Sequence, residues 1–251
     1  MRTWPYPAIV AHRGGGKLAP ENTLEAVDVG ARYGHRMIEF DAKLSADDIV
    51  FLLHDDTVDR TSNGHGEAKA LTYAQLRALD AGTWFGAEFA NARMPTLAQV
   101  RERCAQHGLA ANIEIKPSEG RDVETGVLVA REAATLWTDA DPLPLLSSFS
   151  YAALEAARDA APNLPRGMLY ERVPADWHAQ TAALSCVSLH ANHRALDEAL
   201  VAQIKDAGLR ILAYTVNDPA RALQLAQWGV DAICTDRIDI IGADFLAASS
   251  G

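Results

Sequence analysis

Glu39 and Asp41 stand two residues apart in Met37-Ile-Glu-Phe-Asp-Ala-Lys43, where apolar and acidic residues alternate with the period of a β-strand and put both carboxylates on one side. Acids held that close repel and lose hydration. A folded chain that keeps both supplies a cation, a shared proton or strong donors, unless the strand lies at a wet edge. A second stretch, Asn112-Ile-Glu-Ile-Lys-Pro117, directs Glu114 and Lys116 to one face and Ile113 and Ile115 to the other. Laid beside the first, it contributes a third carboxylate. Three oxygen donors suit one hard divalent cation, Mg²⁺ or Ca²⁺, better than Zn²⁺. Lys116 either pairs with Glu114 or meets an anionic substrate.

Two histidines complete the set. His12-Arg13 ends a strand-like Ala8-Ile-Val-Ala11 and runs into Gly14-Gly-Gly16, whose missing side chains would let backbone N–H groups approach a ligand. Arg13 carries a planar cation suited to phosphate oxygens. His54 precedes Asp55 and Asp56. A cation, two basic side chains and two imidazoles suit the cleavage of a phosphate ester: positive charge stabilises the phosphoryl oxygens, one imidazole takes a proton and the other gives one. Imidazole suits both roles, because its ordinary pKa of about 6.5 allows one ring to start neutral and the other charged.

The elements that must position these residues follow a βα rhythm. Candidate strands lie near 8–11, 37–43, 49–53, 111–116, 144–148, 166–170, 186–190, 210–215 and 231–235, with Ala-rich amphipathic segments between them. Ser45-Ala-Asp-Asp48 is too short for a parallel crossover of about a dozen residues, so 49–53 folds back antiparallel. That hairpin places His54 opposite Glu39 and near Asp41. It also leaves eight strands to close an α/β barrel, a (β/α)8 TIM barrel, which typically takes about 250 residues as one domain. Asn22-Thr-Leu-Glu25 offers a capping box for a helix with a Leu24, Val27 and Ala31 stripe. Further helices are expected near 122–137, 150–160, 197–207 and 218–227, with Asp197 and Asp218 as caps, Pro219 at a first helical position, and Gly208 and Gly229 at C-terminal ends. Residues 55–93 break the rhythm and read as an insertion at the barrel mouth, with a short helix at 72–79.

The motifs together carry a resemblance. His-Arg-Gly at 12–14, Pro-Glu-Asn-Thr at 20–23, Glu39-Phe-Asp41, His54-Asp55, Glu114-Ile-Lys116, Ser148-Phe149, Thr215-Val-Asn217 and Thr235-Asp236 occur in the order of the glycerophosphodiester phosphodiesterases, which this chain resembles over nearly its whole length. The resemblance implies a TIM barrel that hydrolyses glycerophosphodiesters to sn-glycerol 3-phosphate and an alcohol. By matching position it implies His12 and His54 as the acid/base pair, Glu39, Asp41 and Glu114 as ligands of the cation, and Arg13 and Lys116 on the phosphate. His12 is taken as the base and His54 as the acid for a working scheme, an order that the sequence itself leaves open. Tyr214, where many relatives carry Trp, and Arg237-Ile238, where an aromatic-Pro or Arg-Pro pair is frequent, concern the shape of the glycerol and leaving-group pocket.

Other residues are placed more loosely. Trp84 and Phe85 either wall the site or anchor the insertion; His190, in His190-Ala-Asn-His193, is expected at the mouth as its strand ends, within reach of substrate. Partners of His35, His65, His107 and His178 are not identifiable. With 49% hydrophobic residues, 251 residues bury a large core, and a net charge of -10 argues against nucleic acid as a partner. No apolar run approaches the ~18 residues of a membrane span, and no leader-like run opens residues 1–7. Three scattered cysteines, Cys104, Cys186 and Cys234, read as buried thiols of a cytoplasmic protein. Homo-oligomerisation is left open. Two other functions compete: the same chemistry on lysophospholipids, and a non-catalytic phosphodiester-binding barrel.

Overall fold

The computed structural model describes residues 4–248, so residues 1–3 and 249–251 of the expected single unit 1–251, including part of the leader reading, lie outside the described residues. In chain order the elements are β1 (Ile9–Ala11), α1 (Leu24–Arg32), β2 (Met37–Leu44), β3 (Val50–Leu52), α2 (Tyr73–Ala78), α3 (Leu97–His107), β4 (Ala110–Ile115), α4 (Asp122–Leu136) and β5 (Leu145–Ser148). There follow α5 (Tyr151–Ala160), β6 (Arg166–Tyr170), α6 (Trp177–Ala183), β7 (Ser188–Asn192), α7 (Glu198–Asp206), β8 (Arg210–Tyr214), α8 (Pro219–Trp228), β9 (Ala232–Thr235) and α9 (Phe245–Ala248). Neighbouring strands run β1-β9-β8-β7-β6-β5-β4-β2, and β1 pairs with β2 to close the ring. Every pairing within the ring is parallel. This is a TIM barrel, with β3 added outside it antiparallel to β2.

Alternation along the strands separates two cores. Ile9, Ile38, Phe40, Ile113, Leu146, Leu189, Ile211 and Ile233 face the helices in the main cluster, while Val10, Met37, Leu145, Leu212, Ala232 and Cys234 plug one end of the barrel interior with Tyr6. On the same inward register, Glu39 and Asp41 follow Met37 toward the strands' C-terminal ends. They are carried there by the chain direction of β2, the end at which barrel sites form.

The hairpin forms as expected, but its register differs by one residue. Leu52 pairs with Ala42 and the Leu53 N–H donates to the Asp41 carbonyl, so the next residue, His54, comes level with Phe40 rather than Glu39. The turn fixes this offset. Asp48 takes a positive φ of 62° and the Ser45 side chain accepts from Ile49 N–H. The segment from Asp55 has its own core of Phe51, Leu53, Val58, Ala68, Leu76, Ala81 and Met94, which seals it onto the hairpin.

Several local expectations shift. Thr23, not Asn22, caps α1, accepting from Ala26 N–H at 3.2 Å. Asp197 and Asp218 cap α7 and α8, Pro219 opens α8 and Gly229 closes it in the left-handed region, as the spacing requires. Three α-helices among the described residues were not expected from the sequence, α3, α6 and the short α9, and α3 and α6 complete the outer ring. The first starts with a full capping box between Thr96 and Gln99. Cys104 and Cys234 are buried and Cys186 half-buried, all as free thiols.

Candidate active site

β2 and β4 pair in the register Asp41↔Glu114 and Glu39↔Asn112. Carboxylate oxygens of Glu39, Asp41 and Glu114 lie within 4.8 Å of one another, and all three residues are buried. Asp41 is braced on every side. The Asn22 amide donates to its Oδ2 at 2.8 Å, Arg13 Nε stands at 3.5 Å and Lys116 Nζ at 3.6 Å. Burial opposes ionisation, but the charges of Arg13, Lys116 and His54 and the Asn22 bond outweigh it and hold Asp41 down to about 2. Asn22 left the capping role to Thr23 because its backbone turns at φ 59° and its side chain also accepts from Asp41 N–H.

Glu39 is the opposite case. Burial, then the Asp41 charge, pushes its carboxyl up to about 8, and its Oε1 is buried with no hydrogen-bond partner in the protein. Burial and the same Asp41 charge also raise Glu114, against the Lys116 ammonium that donates to it at 2.7 Å. An orphaned carboxylate oxygen amid three close acids is what a hard cation satisfies, so these residues fit such a group. The linkage has a definite sign. Because Glu39 keeps a proton in the native state that the unfolded chain has released, metal-free stability falls as pH rises from the ordinary glutamate range through about 8. Asp41 acts oppositely: its contribution is lost only as pH falls toward about 2. Calorimetric titration with Mg²⁺ or Ca²⁺ is expected to show proton release and an affinity that rises up to about tenfold per pH unit below Glu39's titration. Proton release of zero at pH 7 would remove Glu39 from the ligand set.

Both histidines are braced by carboxylates. His12 Nδ1 meets Asp236 Oδ1 at 2.6 Å, while its Nε2 faces Glu39 at 3.7 Å. Asp236 is held by Asn217, whose amide donates to Oδ2 at 2.9 Å and accepts from Asp236 N–H. His54 Nδ1 meets Asp55 Oδ1 at 2.7 Å. Burial lowers the pKa of His12, yet the Asp236 bond and the Glu39 charge raise it further than burial depresses it. For His54, burial together with Arg13 and Lys116 prevails and its pKa falls. The two imidazoles are thus shifted in opposite directions, His12 upward and His54 downward. Glu39 is one cause of the rise at His12, after the hydrogen bond to Asp236.

The glycines after Arg13 do something other than expected. Gly14 and Gly16 donate their N–H groups to the Glu39 and His12 carbonyls, and Lys17 N–H donates to the Asp236 carbonyl. A Cβ on Gly16 would sit 2.2 Å from that carbonyl oxygen, so the glycine lets the turn close against the end of β9 and bring Asp236 to His12. Arg13 itself has φ 50°, and its guanidinium donates to Glu21 at 2.6 Å.

A cavity of about 330 Å³ opens beside His54, lined among others by Lys43, Asp56, Glu114, Lys116, Ser148 and Phe149. Tyr214 reaches this region by an edge-to-face contact with Phe149 at 5.7 Å, its hydroxyl donating to the Tyr170 carbonyl. Trp84 and Phe85 are not among the lining residues; Phe85 makes edge-to-face contacts with both Trp84 and Phe89 in the inserted segment, and Trp84 Nε1 donates to the Ala81 carbonyl. His190 is not at the mouth. β7 runs on to Asn192, so His190 lies fully buried within the strand against Ser188, where burial presses its pKa down to about 3. Of the remaining histidines, His65 and His107 pair with Asp59 and Asp28. A larger hollow of about 630 Å³, between Trp4, Tyr6, Leu143 and Leu209, lies at the other end of the barrel, away from these groups.

Asp236, Asn217, Asn22 and Glu21 belong to this constellation, although in the sequence they stood out only within motifs, or for Asn22 as a helix cap, with no part in the chemistry. Thr235-Asp236 at a strand end was the available signal. Its pairing with His12, 224 residues away, follows only from β1 lying beside β9.

A parallel barrel that gathers acids and braced imidazoles at its strands' C-terminal ends defines a phosphodiesterase of the TIM-barrel class. The chain belongs to the glycerophosphoryl diester phosphodiesterase family, whose model matches residues 12–240. It is thus an enzyme, a phosphoric diester hydrolase. A glycerophosphodiester phosphodiesterase of Caldanaerobacter subterraneus is 34% identical over 91% of this chain and 93% of its own. Among solved structures, a phosphodiesterase of Oleispira antarctica in complex with the product sn-glycerol-3-phosphate superposes with a TM-score of 0.89 at 34% identity, covering 98% of each chain. The glycerophosphodiester phosphodiesterase of Agrobacterium tumefaciens gives 0.77 at 28% identity, over 96% of this chain and 99% of that one. No helix among the described residues is long and apolar enough to cross a membrane.

Proposed function

We propose that the protein hydrolyses glycerophosphodiesters to sn-glycerol 3-phosphate and an alcohol, with one divalent cation, Mg²⁺ or Ca²⁺, held by Glu39, Asp41 and Glu114, and with His12 and His54 as the acid/base pair. The observation that carries the reading is the meeting of three buried carboxylates within 4.8 Å, one with an orphaned oxygen, beside two histidines that each rest on a further carboxylate. The Oleispira relative bound to sn-glycerol-3-phosphate supports the product.

Each residue has a physical task. Asp236 and Asp55 accept from the two Nδ1–H groups, which leaves each Nε2 to exchange a proton with the reacting oxygens. One imidazole takes a proton from the attacking oxygen, of water or of a glycerol hydroxyl, while the other protonates the departing alcohol as its P–O bond breaks; after attack by the hydroxyl, water opens the resulting cyclic phosphate to sn-glycerol 3-phosphate. Arg13 and Lys116 hold the phosphate; Lys116, at 2.7 Å from Glu114 and 3.6 Å from Asp41, also lines the cavity. Glu39, Asp41 and Glu114 would hold the cation, whose chemistry would be to offset the negative charge of the phosphoryl oxygens. The alcohol lies in the cavity beside His54 and Phe149, and residues 55–93 form one catalytic unit with the barrel.

Release of glycerol 3-phosphate from a panel of glycerophosphodiesters tests the reading. Turnover is expected to vanish in EDTA and to return with Mg²⁺ or Ca²⁺. Full activity in EDTA would remove the cation from the reading, and failure to cleave any member of the panel would remove the function.

A further inference from the structure

Arg60, in the inserted segment, is not among the groups assigned so far. Its Nε and Nη2 donate to the two oxygens of Asp55 at 2.6 and 3.0 Å, and its Nη1 and Nη2 donate to the two oxygens of Glu21 at 2.8 Å each. The oxygens that Nη2 touches are Asp55 Oδ1, which holds His54 Nδ1, and Glu21 Oε1, which holds Arg13 Nη1. One nitrogen therefore stands between the two oxygens that orient a proton-transfer group and a phosphate-binding group. The loop that carries Arg60 is itself pinned, with Val58 N–H on the Gly66 carbonyl and Ser62 on the Val58 carbonyl.

We propose that Arg60 is a positioning residue of the active site, whose fork across Asp55 and Glu21 fixes the His54 tautomer and the Arg13 guanidinium together. The inference rests on the reading of His54 and Arg13 given above. A fork this complete needs a planar guanidinium; an ammonium in its place keeps the charge but cannot address both carboxylates bidentately. Without the fork, Asp55 is free to rotate away from Nδ1, and Glu21 is left to Arg13 alone. The Arg60 bonds also hold the Asp55 carboxyl well below the usual range, which keeps it an acceptor for Nδ1–H. Stability is a poor explanation for so many bonds here, since the Arg60 side chain is 44% exposed and an exposed ion pair contributes little.

Arg60→Lys and Arg60→Met in the full chain test this. Both are expected to melt within about 2 °C of the parent, as loss of an exposed pair allows. In both, kcat is expected to fall about 10–100-fold, the usual effect of removing a group that orients a reacting one, with a raised KM from the loosened Arg13. In ¹H–¹⁵N spectra, assigned against His54→Gln, the His54 ring is expected to leave a single Nδ1–H tautomer for a mixture, and lysine is expected to restore less than a tenth of the lost kcat. Folded variants with kcat and KM within about twofold of the parent and an unchanged His54 tautomer would overturn the proposal. The tautomer comparison needs no turnover, so it judges Arg60 even if the parent cleaves no glycerophosphodiester and the functional reading fails.

Discussion

A His12→Ala protein is expected to keep its fold and lose about 10²–10⁴-fold of kcat for glycerophosphodiester hydrolysis, the range spanned by a positioned acid or base. His12 lies at the end of β1, where its side chain contributes little to either apolar cluster. Its loss should leave the melting temperature close to that of the parent. What disappears is a ring held on Asp236 with its other nitrogen turned toward the carboxylates. KM is expected to change little, because Arg13 and Lys116 remain to hold the phosphate. His54→Ala should show a loss of similar size. Turnover close to that of the parent in purified, folded His12→Ala protein would sink the two-histidine mechanism. The pH profiles of the two variants, each lacking one limb of the parent's, would then assign base and acid.

Glu39→Gln is expected to separate stability from activity. The glutamate is buried with an orphaned oxygen and a carboxyl pushed up to about 8 by burial and by Asp41, so without a cation it costs stability increasingly as pH rises toward that value. The amide has nearly the same shape and no charge to desolvate. At pH 8 in EDTA the variant should melt at least about 2 °C above the parent, the shift that 1 kcal/mol produces in a chain of this size. Activity should move the other way. Removing one anionic ligand leaves the cation on two carboxylates, and a loss of about 10²–10³-fold is expected, as for other pre-arranged electrostatic groups. The stabilising effect of added Mg²⁺ or Ca²⁺ should shrink with it. A variant that melts lower than the parent in EDTA, or that retains full metal-dependent turnover, would show that Glu39 serves the fold rather than the cation.

Much of the barrel was legible in the chain because the relevant physics is local. Period-two alternation in 37–43 and 111–116 places the three acids on inward faces, and a four-residue link cannot cross a sheet, so β3 had to return antiparallel. Residue types at 12, 39, 41, 54 and 114 were enough to point to a cation and two proton carriers. Register was not legible. His54 comes level with Phe40 rather than Glu39 because a positive φ at Asp48 and the Ser45 bond set the turn, and neither is a matter of hydrophobic pattern. His190 lies within the strand rather than at its end because β7 spans Ser188–Asn192, two residues further along than the expected 186–190.

The supports of the site were the least visible. Asp236 reaches His12 only because β9 closes the ring against β1, and Arg60 reaches Glu21 only because the inserted segment folds back on the rim. Nothing in residue spacing encodes such contacts, since each is made by chain closure over tens to hundreds of residues. The sequence by itself determined which acids, bases and cations this enzyme owns and the strands that carry them. The tertiary structure alone decided which carboxylate braces which histidine, because hydrogen bonds are set by distances of about 3 Å that only the closed barrel brings about.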